Sequence, residues 1–166
     1  DLPSARRLVE IPYSAVPNLS MTDVSYREYD LKAMGFDSPV KPRQPSVVKL
    51  PGARRDFAMN GDFYGSDCFY PQDVVRVQKD AFIRNHRILP VMISPFQYNP
   101  AKHVLRVYDS FEFTIETTGG SFSSSLSEFM RTGVSSFETY LGDNIINYGS
   151  IYGSSPKTSY GDGLLI

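Results

Sequence analysis

The sequence predicts a mainly β fold with antiparallel strands and a short helical segment near the C-terminus. Two observations support this prediction. Of the 166 residues, 13% are aromatic, all of them Tyr or Phe, and aromatic side chains favour the half-buried surface of a pleated sheet. Twelve Pro and twelve Gly interrupt the chain frequently, so the individual elements should be short.

Apolar and alternating runs indicate the individual strands. The runs are residues 8–11, 21–31, 73–78, 82–94, 104–108 and 111–115. In the last run Phe111, Phe113 and Ile115 share one face, as strand geometry requires. Pro90 lies inside the run 82–94 and predicts an edge position or a bulge, because proline cannot donate to a sheet ladder. Together the runs from residue 73 onward predict an antiparallel meander.

After these strands the composition becomes polar. Residues 117–125 are rich in Gly, Ser and Thr and resemble a linker. Ser125 and Ser135 each precede a Glu by three positions, which is the capping-box pattern of a helix start. We therefore expect a short helix near 126–132 and a longer one near 136–147.

The predicted domain organisation places one domain in residues 1–148. Residues 149–163 return to Gly, Ser, Pro and Tyr, and Leu164–Ile166 resembles the start of a strand. Residues 149–166 are therefore expected to be a connector and the first strand of a following domain. Asp1 is not an initiator methionine, so we expect a processed product.

Composition and motifs exclude several function classes. The net charge is −1 with no basic stripe, which argues against a nucleic-acid partner, and no apolar run approaches the roughly 18 residues of a membrane span. The single Cys68 excludes an internal disulfide framework. Motifs for phosphate binding, metal binding or a nucleophile elbow are absent from the sequence, so we expect neither an enzyme nor a cofactor. Asp62 and Asp67 hint at calcium, but their spacing does not match an EF-hand and turn chemistry explains them equally well.

An irregular, Pro- and Gly-rich stretch covers residues 35–65. Within it residues 41–57, which we term the basic segment, carry several cations in an otherwise neutral chain. These are Lys41, Arg43, Lys49, Arg54 and Arg55. Long irregular stretches inside a domain are usually functional or disordered, but composition alone favours a solvated loop whose charges only keep the chain soluble.

Three blocks of the sequence, residues 69–71, 82–91 and 95–108, resemble the propeptide domain that precedes the catalytic domain of gingipain-like cysteine peptidases. The resemblance extends over most of the chain and is closest in residues 69–108. Its most specific part is a signature followed by a strand. The signature residues are Pro95, Gln97, Tyr98, Asn99, Pro100 and Tyr108.

This resemblance implies an antiparallel β-sandwich or half-open, jelly-roll-like barrel with a short C-terminal helical segment. It also implies that the domain is an intramolecular inhibitor and folding chaperone that is removed by proteolysis on activation. Its partner would be the catalytic domain of the cognate cysteine peptidase, which is secreted or held on the cell surface of a bacterium after crossing the periplasm. Family members present a basic side chain to the specificity pocket. The position before residues 69–71 favours Lys49, with Arg54 and Arg55 as the runner-up pair. Candidate cleavage sites follow Lys49, Arg54, Arg55 and Lys157.

Two other functions are compatible with the sequence. An aromatic-rich β-sandwich can be a carbohydrate- or protein-binding module with exposed rings, although the chain contains no Trp. The domain could instead precede a gingipain-like sortase of the type IX secretion machinery, where it would serve assembly and not latency.

Overall fold

A computed structural model describes residues 2–44, 46, 49–50, 57–123, 126–127 and 135–153. The strands are β1 (Ala5–Glu10), β2 (Val16–Asp30), β3 (Val75–Val77), β4 (Ala81–Ile83), β5 (His86–Ile93), β6 (Phe96–Asn99) and β7 (Val104–Thr118). The helices are α1 (Gly61–Tyr64), α2 (Ser136–Asn144) and α3 (Tyr148–Tyr152). The prediction of a mainly β chain with short C-terminal helices is confirmed.

The strands form two sheets. One sheet has the order β1-β5-β3, with β4 also paired to β5, and the other has the order β2-β7-β6. β4 and β5 form an antiparallel hairpin in which Ile83 lies opposite His86. β6 and β7 are also antiparallel, with Asn99 opposite Val104. These pairings place the turn of residues 100–103 directly after β6, which carries the signature residues Gln97, Tyr98 and Asn99.

The structure corrects three details of the predicted strands. Residues 82–94 form a hairpin instead of one strand, because the chain turns at Arg84, whose φ is 53°. Residues 104–108 and 111–115 belong to the single strand β7. The edge position predicted from Pro90 is wrong, since β5 lies between β1 and β3. Proline lacks only the backbone N–H donor, and the Pro90 carbonyl still accepts a hydrogen bond from the Gln78 amide at 2.8 Å.

The chain divides into two compact units. The first unit comprises Asp1–Ala5, Met21–Val75 and Ser94–Glu112, and the second comprises Arg6–Ser20, Arg76–Ile93 and Phe113–Ile166. The basic segment and the signature residues therefore belong to the first unit, and the C-terminal helices belong to the second.

The second unit has a core formed by strand and helix residues. Ile88, Leu141, Ile145 and Tyr148 are each at most 2% exposed and pack together. Burying one large aliphatic side chain contributes about 1.5–3 kcal/mol, so this cluster stabilises the attachment of α2 to the sheet. The helix begins as predicted, because the Ser135 hydroxyl accepts from the amide of residue 138 at 3.3 Å. It ends at Asn144, earlier than the predicted 147.

The polar stretch of residues 117–125 is not simply a linker. Its first residues complete β7, and Ser121 forms an isolated bridge with Tyr13. Gly120 has a φ of +73°, and a Cβ placed there would lie 2.3 Å from the Tyr13 carbonyl oxygen. Any other side chain would collide with the backbone at this position, so the glycine is required by the close approach of the two segments.

The C-terminal predictions are only partly covered by the described residues. The predicted helix near 126–132 falls largely outside them. Residues 149–152, predicted to begin the connector, instead belong to α3. Among the described residues, none of the helices has the length and apolar character needed to cross a membrane.

Candidate functional site

The described residues of the basic segment are exposed except for Pro42 and Gln44, which are half-buried. Lys49 lies at a bend and is exposed to solvent, and the neighbouring Leu50 is 66% exposed. Arg54 and Arg55 lie outside the described residues. Of the three cations favoured for insertion, Lys49 is thus the one that the structure describes, and its side chain is accessible to solvent.

Gln97 of the signature is a buried hydrogen-bonding hub. It is 3% exposed, and its amide nitrogen donates to the carbonyls of Pro71 and Gln72 at 2.8 and 3.0 Å. Its amide oxygen accepts from the Tyr108 hydroxyl at 2.8 Å. The cost of burying this amide is offset because both of its ends are bonded. Gln97 therefore ties the segment of residues 70–72 to β6 and β7.

Tyr98, the next signature residue, is 4% exposed. Its backbone pairs with Tyr70 through two hydrogen bonds of 2.8 and 3.0 Å. Its hydroxyl lies 3.2 Å from Nδ1 of His103 and accepts from the Val40 amide at 3.4 Å. The side chain thus bonds Val40, the residue immediately before the basic segment.

Asn99 closes the turn after β6 and is 1% exposed. Its amide nitrogen donates to Asp67 at 2.8 Å, and its oxygen accepts from the Lys102 backbone amide at 3.1 Å. The hydrogen bond from Asn99 and the Lys102 ammonium, 2.9 Å away, hold the pKa of Asp67 below its usual value.

These partners give Asp67 a structural role. Within the described ranges, no group of three or more His, Cys, Asp or Glu side chains is arranged to hold a metal ion. Asp62 lies in the first turn of α1, where Asn60 is the N-cap, so a turn accounts for it as well.

The signature residues therefore form a framework and not a contact surface. The Pro95 carbonyl accepts from the Tyr108 amide at 2.9 Å, and Pro100 is buried at the start of the turn. Gln97, Tyr98 and Asn99 are almost inaccessible to solvent. Their side chains form hydrogen bonds with other residues of the first unit.

Comparisons with known proteins identify the family of this chain. The family model Propeptide_C25 matches residues 9–154. The chain belongs to the Propeptide_C25 family. Lys-gingipain HG66 of Porphyromonas gingivalis is 27% identical over 120 residues, which are 72% of this chain and 7% of that protein. A second Lys-gingipain of Porphyromonas gingivalis is 26% identical over the same length. The chain thus spans only a small part of these relatives.

Two solved structures share the fold of this propeptide domain. One, described as a structural insight into zymogenic latency of gingipain K from Porphyromonas gingivalis, has a TM-score of 0.58 and 25% identity and covers 70% of this chain and 63% of that chain. The other, a complex of the pro- and mature domains of RgpB from the same organism, has a TM-score of 0.64 and 19% identity and covers 89% and 71%. The chain is accordingly a gingipain-like propeptide domain.

A second polar cluster in this propeptide domain was not predicted from the sequence. In the second unit Glu10, His86 and Glu138 are 1%, 4% and 6% exposed. His86 Nδ1 lies 3.0 Å from Glu10 Oε2, and Nε2 lies 3.5 Å from Glu138 Oε1. The Tyr152 hydroxyl donates to Glu10 at 2.6 Å, and the Tyr148 hydroxyl donates to Glu138 at 2.5 Å. The cluster joins β1 and β5 to both C-terminal helices.

The electrostatics of this cluster centre on His86. Burial by itself lowers the pKa of His86, but the hydrogen bonds and Coulombic attraction of Glu10 and Glu138 outweigh it and raise the pKa above its ordinary value. Burial and the nearby Glu138 also raise the pKa of Tyr148, which keeps its hydroxyl protonated as a donor.

One sequence signal could have revealed the cluster. Glu138 is three positions before Leu141 and seven before Ile145, so it lies on the apolar face of α2. A carboxylate on such a face needs buried partners. The sequence pattern assigned Glu138 to the capping box of α2. In the structure the cap bond is made by the Ser135 side chain, whereas the Glu138 carboxylate accepts from the Tyr148 hydroxyl.

Proposed function

We propose that this domain inhibits its parent cysteine peptidase by presenting Lys49 to the active-site cleft, and that it assists folding of that peptidase before being removed. The observation that carries the proposal is the exposed position of Lys49 on the basic segment of a Propeptide_C25 domain. A charged side chain can pair with an acidic group in a specificity pocket, and a pre-formed scaffold lowers the entropy lost on binding.

Replacing Lys49 by alanine should raise the inhibition constant of this chain for the cognate peptidase by about 30-fold or more. A charged group that is removed from a desolvated pair costs about 2 kcal/mol or more. The measurement is inhibition of the mature peptidase by the chain added in trans, with Lys79→Ala as the control because Lys79 is an exposed lysine outside the basic segment.

An unchanged inhibition constant for Lys49→Ala would remove Lys49 from this role. If the double variant Arg54→Ala/Arg55→Ala then weakened inhibition, the inserted residue would be one of these two arginines.

Activation is proposed to proceed by cleavage after basic residues, with Lys49, Arg54, Arg55 and Lys157 as candidates. Lys157 follows α3 by a few residues and lies outside the described residues. Because Gly- and Ser-rich connectors are preferred sites of proteolysis, we place the connector to the catalytic domain after α3 and the final cut after Lys157. Secretion by a bacterium through the periplasm is part of the same proposal.

N-terminal sequencing of the activated peptidase should therefore find a mature chain that begins at Thr158. The variant Lys157→Gln should delay the appearance of that terminus, whereas Lys79→Gln should not. A mature terminus elsewhere in both proteins would discard Lys157 as the processing site.

A further inference from the structure

A pocket of about 380 Å³ lies in the first unit, and we term it the aromatic pocket. Aromatic and aliphatic residues make up most of its lining, among them Val40, Pro42, Phe63, Tyr64, Tyr70 and Tyr98. The rings of Phe63 and Tyr70 meet edge to face with their centroids 5.4 Å apart, and Tyr70 is 60% exposed. An apolar group that entered the pocket would cover this ring, and removing apolar area from water favours binding.

Hydrogen bonds join the segments that line the aromatic pocket. The Tyr64 hydroxyl donates to the Val40 carbonyl, and the Val40 amide donates to the Tyr98 hydroxyl at 3.4 Å. The backbones of Tyr70 and Tyr98 pair through two hydrogen bonds of 2.8 and 3.0 Å. Because these bonds fix its lining before anything binds, little conformational entropy is lost when a group enters the pocket.

Two cations also line the aromatic pocket. Lys41 and Arg43 flank Pro42 in the sequence, and both are exposed. The described residues of the lining include no Asp or Glu. Asn60 lines the pocket as well, and its side-chain oxygen already accepts from the Phe63 amide at 3.1 Å, so its side chain offers N–H donors to a ligand. The charges and donors around the pocket therefore favour an anionic group beside the apolar one.

We propose that the aromatic pocket is a second contact site for the catalytic domain of the parent peptidase, and that it takes an apolar side chain of that domain lying beside a carboxylate. The inference rests on the proposed function, because the occupant belongs to the same partner. Arg43 precedes Lys49 by six residues, which span at most about 22 Å when fully extended. A catalytic domain that receives Lys49 in its cleft therefore lies close enough to contact the pocket. Lys41 and Arg43, which are not candidates for insertion, thereby acquire a role.

The test measures inhibition of the mature cognate peptidase by the chain added in trans. Lys41→Glu should raise the inhibition constant about 10-fold at low salt and less at high salt, because salt screens exposed charges. Tyr70→Ala should raise it about 10-fold at both salt concentrations, because it removes apolar contact area. The matched controls Lys79→Glu and Tyr140→Ala change an exposed lysine and a 61% exposed tyrosine of the second unit and should leave inhibition unchanged. Urea unfolding checks that each variant is folded, and the exposed position of Lys41 keeps the test valid if Tyr70→Ala is unstable.

Comparison with Lys49→Ala separates this inference from the proposed function. Two independent contacts should give additive effects, so Lys41→Glu/Lys49→Ala should inhibit more weakly than either single variant. If Lys49→Ala weakens inhibition while Lys41→Glu and Tyr70→Ala match their controls, the aromatic pocket is not a contact site and the role of Lys49 stands. If the pocket variants weaken inhibition and Lys49→Ala does not, the role of Lys49 is overturned and the pocket stands. An equal effect of Lys79→Glu would trace the result to net charge and overturn the inference.

Discussion

Replacing His86 by glutamine should lower the free energy of unfolding by about 3–5 kcal/mol, because breaking a buried ion pair leaves uncompensated charge in the interior. His86 lies between Glu10 and Glu138, at 3.0 and 3.5 Å from their nearest oxygens. Both carboxylates are buried in the second unit. Glutamine retains a hydrogen-bonding group but supplies no positive charge. Urea unfolding at pH 6, followed by circular dichroism, measures the loss.

The same change should reduce the pH dependence of the free energy of unfolding. The pKa of His86 is raised in the folded chain, so the folded state binds more protons than the unfolded state between the unfolded value, about 6.5, and the folded value. The stabilisation is complete below pH 6.5 and declines as the pH rises through the folded pKa. The wild-type protein should therefore unfold at a lower urea concentration at pH 9 than at pH 6, and His86→Gln should reduce this difference.

Two further variants identify charge as the cause. Arg27→Gln breaks the exposed Arg27–Asp109 pair, 2.6 Å apart, and should leave the urea midpoint nearly unchanged, because solvent screens such pairs. Adding Glu138→Gln to His86→Gln removes one of the two remaining carboxylates and should recover part of the lost stability. If His86→Gln were no more destabilising than Arg27→Gln, the cluster would not support the C-terminal helices.

Replacing Gln97 by leucine should lower the free energy of unfolding by about 3 kcal/mol. The substitution conserves the approximate volume but leaves the carbonyls of Pro71 and Gln72 and the hydroxyl of Tyr108 without the bonds that Gln97 now makes. Each buried polar group that loses its partner costs about 1–3 kcal/mol, and water is expected to satisfy some of them. Thermal and urea unfolding of the purified variant provide the measurement.

Gln72→Leu is the matched control for this substitution, because the side chain of Gln72 is exposed. Its unfolding should resemble that of the wild type. Tyr108→Phe removes one of the three bonds and should show an intermediate effect. At temperatures where Gln97→Leu remains folded, its inhibition constant for the peptidase should be unchanged, since Gln97 is 3% exposed. Weaker inhibition without a stability change would instead make Gln97 a contact residue.

Strand periodicity predicted most of the β structure, and its failures have physical causes. The hairpin within residues 82–94 was missed because its turn contains Arg84, a bulky residue at positive φ and not a glycine. The Arg84 guanidinium lies 4.1 Å from the centre of the Phe137 ring, a contact that stabilises the turn from outside its own sequence. Asp109, in the gap between two predicted strands, is held in β7 and bonded to Arg27.

The candidate site was predictable only in part. A cluster of cations among Pro and Gly residues located the basic segment, and the family resemblance selected Lys49. The buried hydrogen bonds of Gln97 carried no sequence signal, because they depend on the positions of residues 71, 72 and 108, which local patterns do not describe.

The sequence by itself determined the mainly β class, the helix start at Ser135 and the membership in a propeptide family, because these depend on consecutive residues or on a continuous match. Only the tertiary structure decided which polar groups meet. Glu10, His86 and Glu138 come from β1, β5 and α2, and Gln97 bonds residues 71 and 72 as well as Tyr108 of β7. Such contacts depend on sheet order and strand register, which hydrophobic periodicity leaves open, and they carry the largest energetic effects expected for this domain.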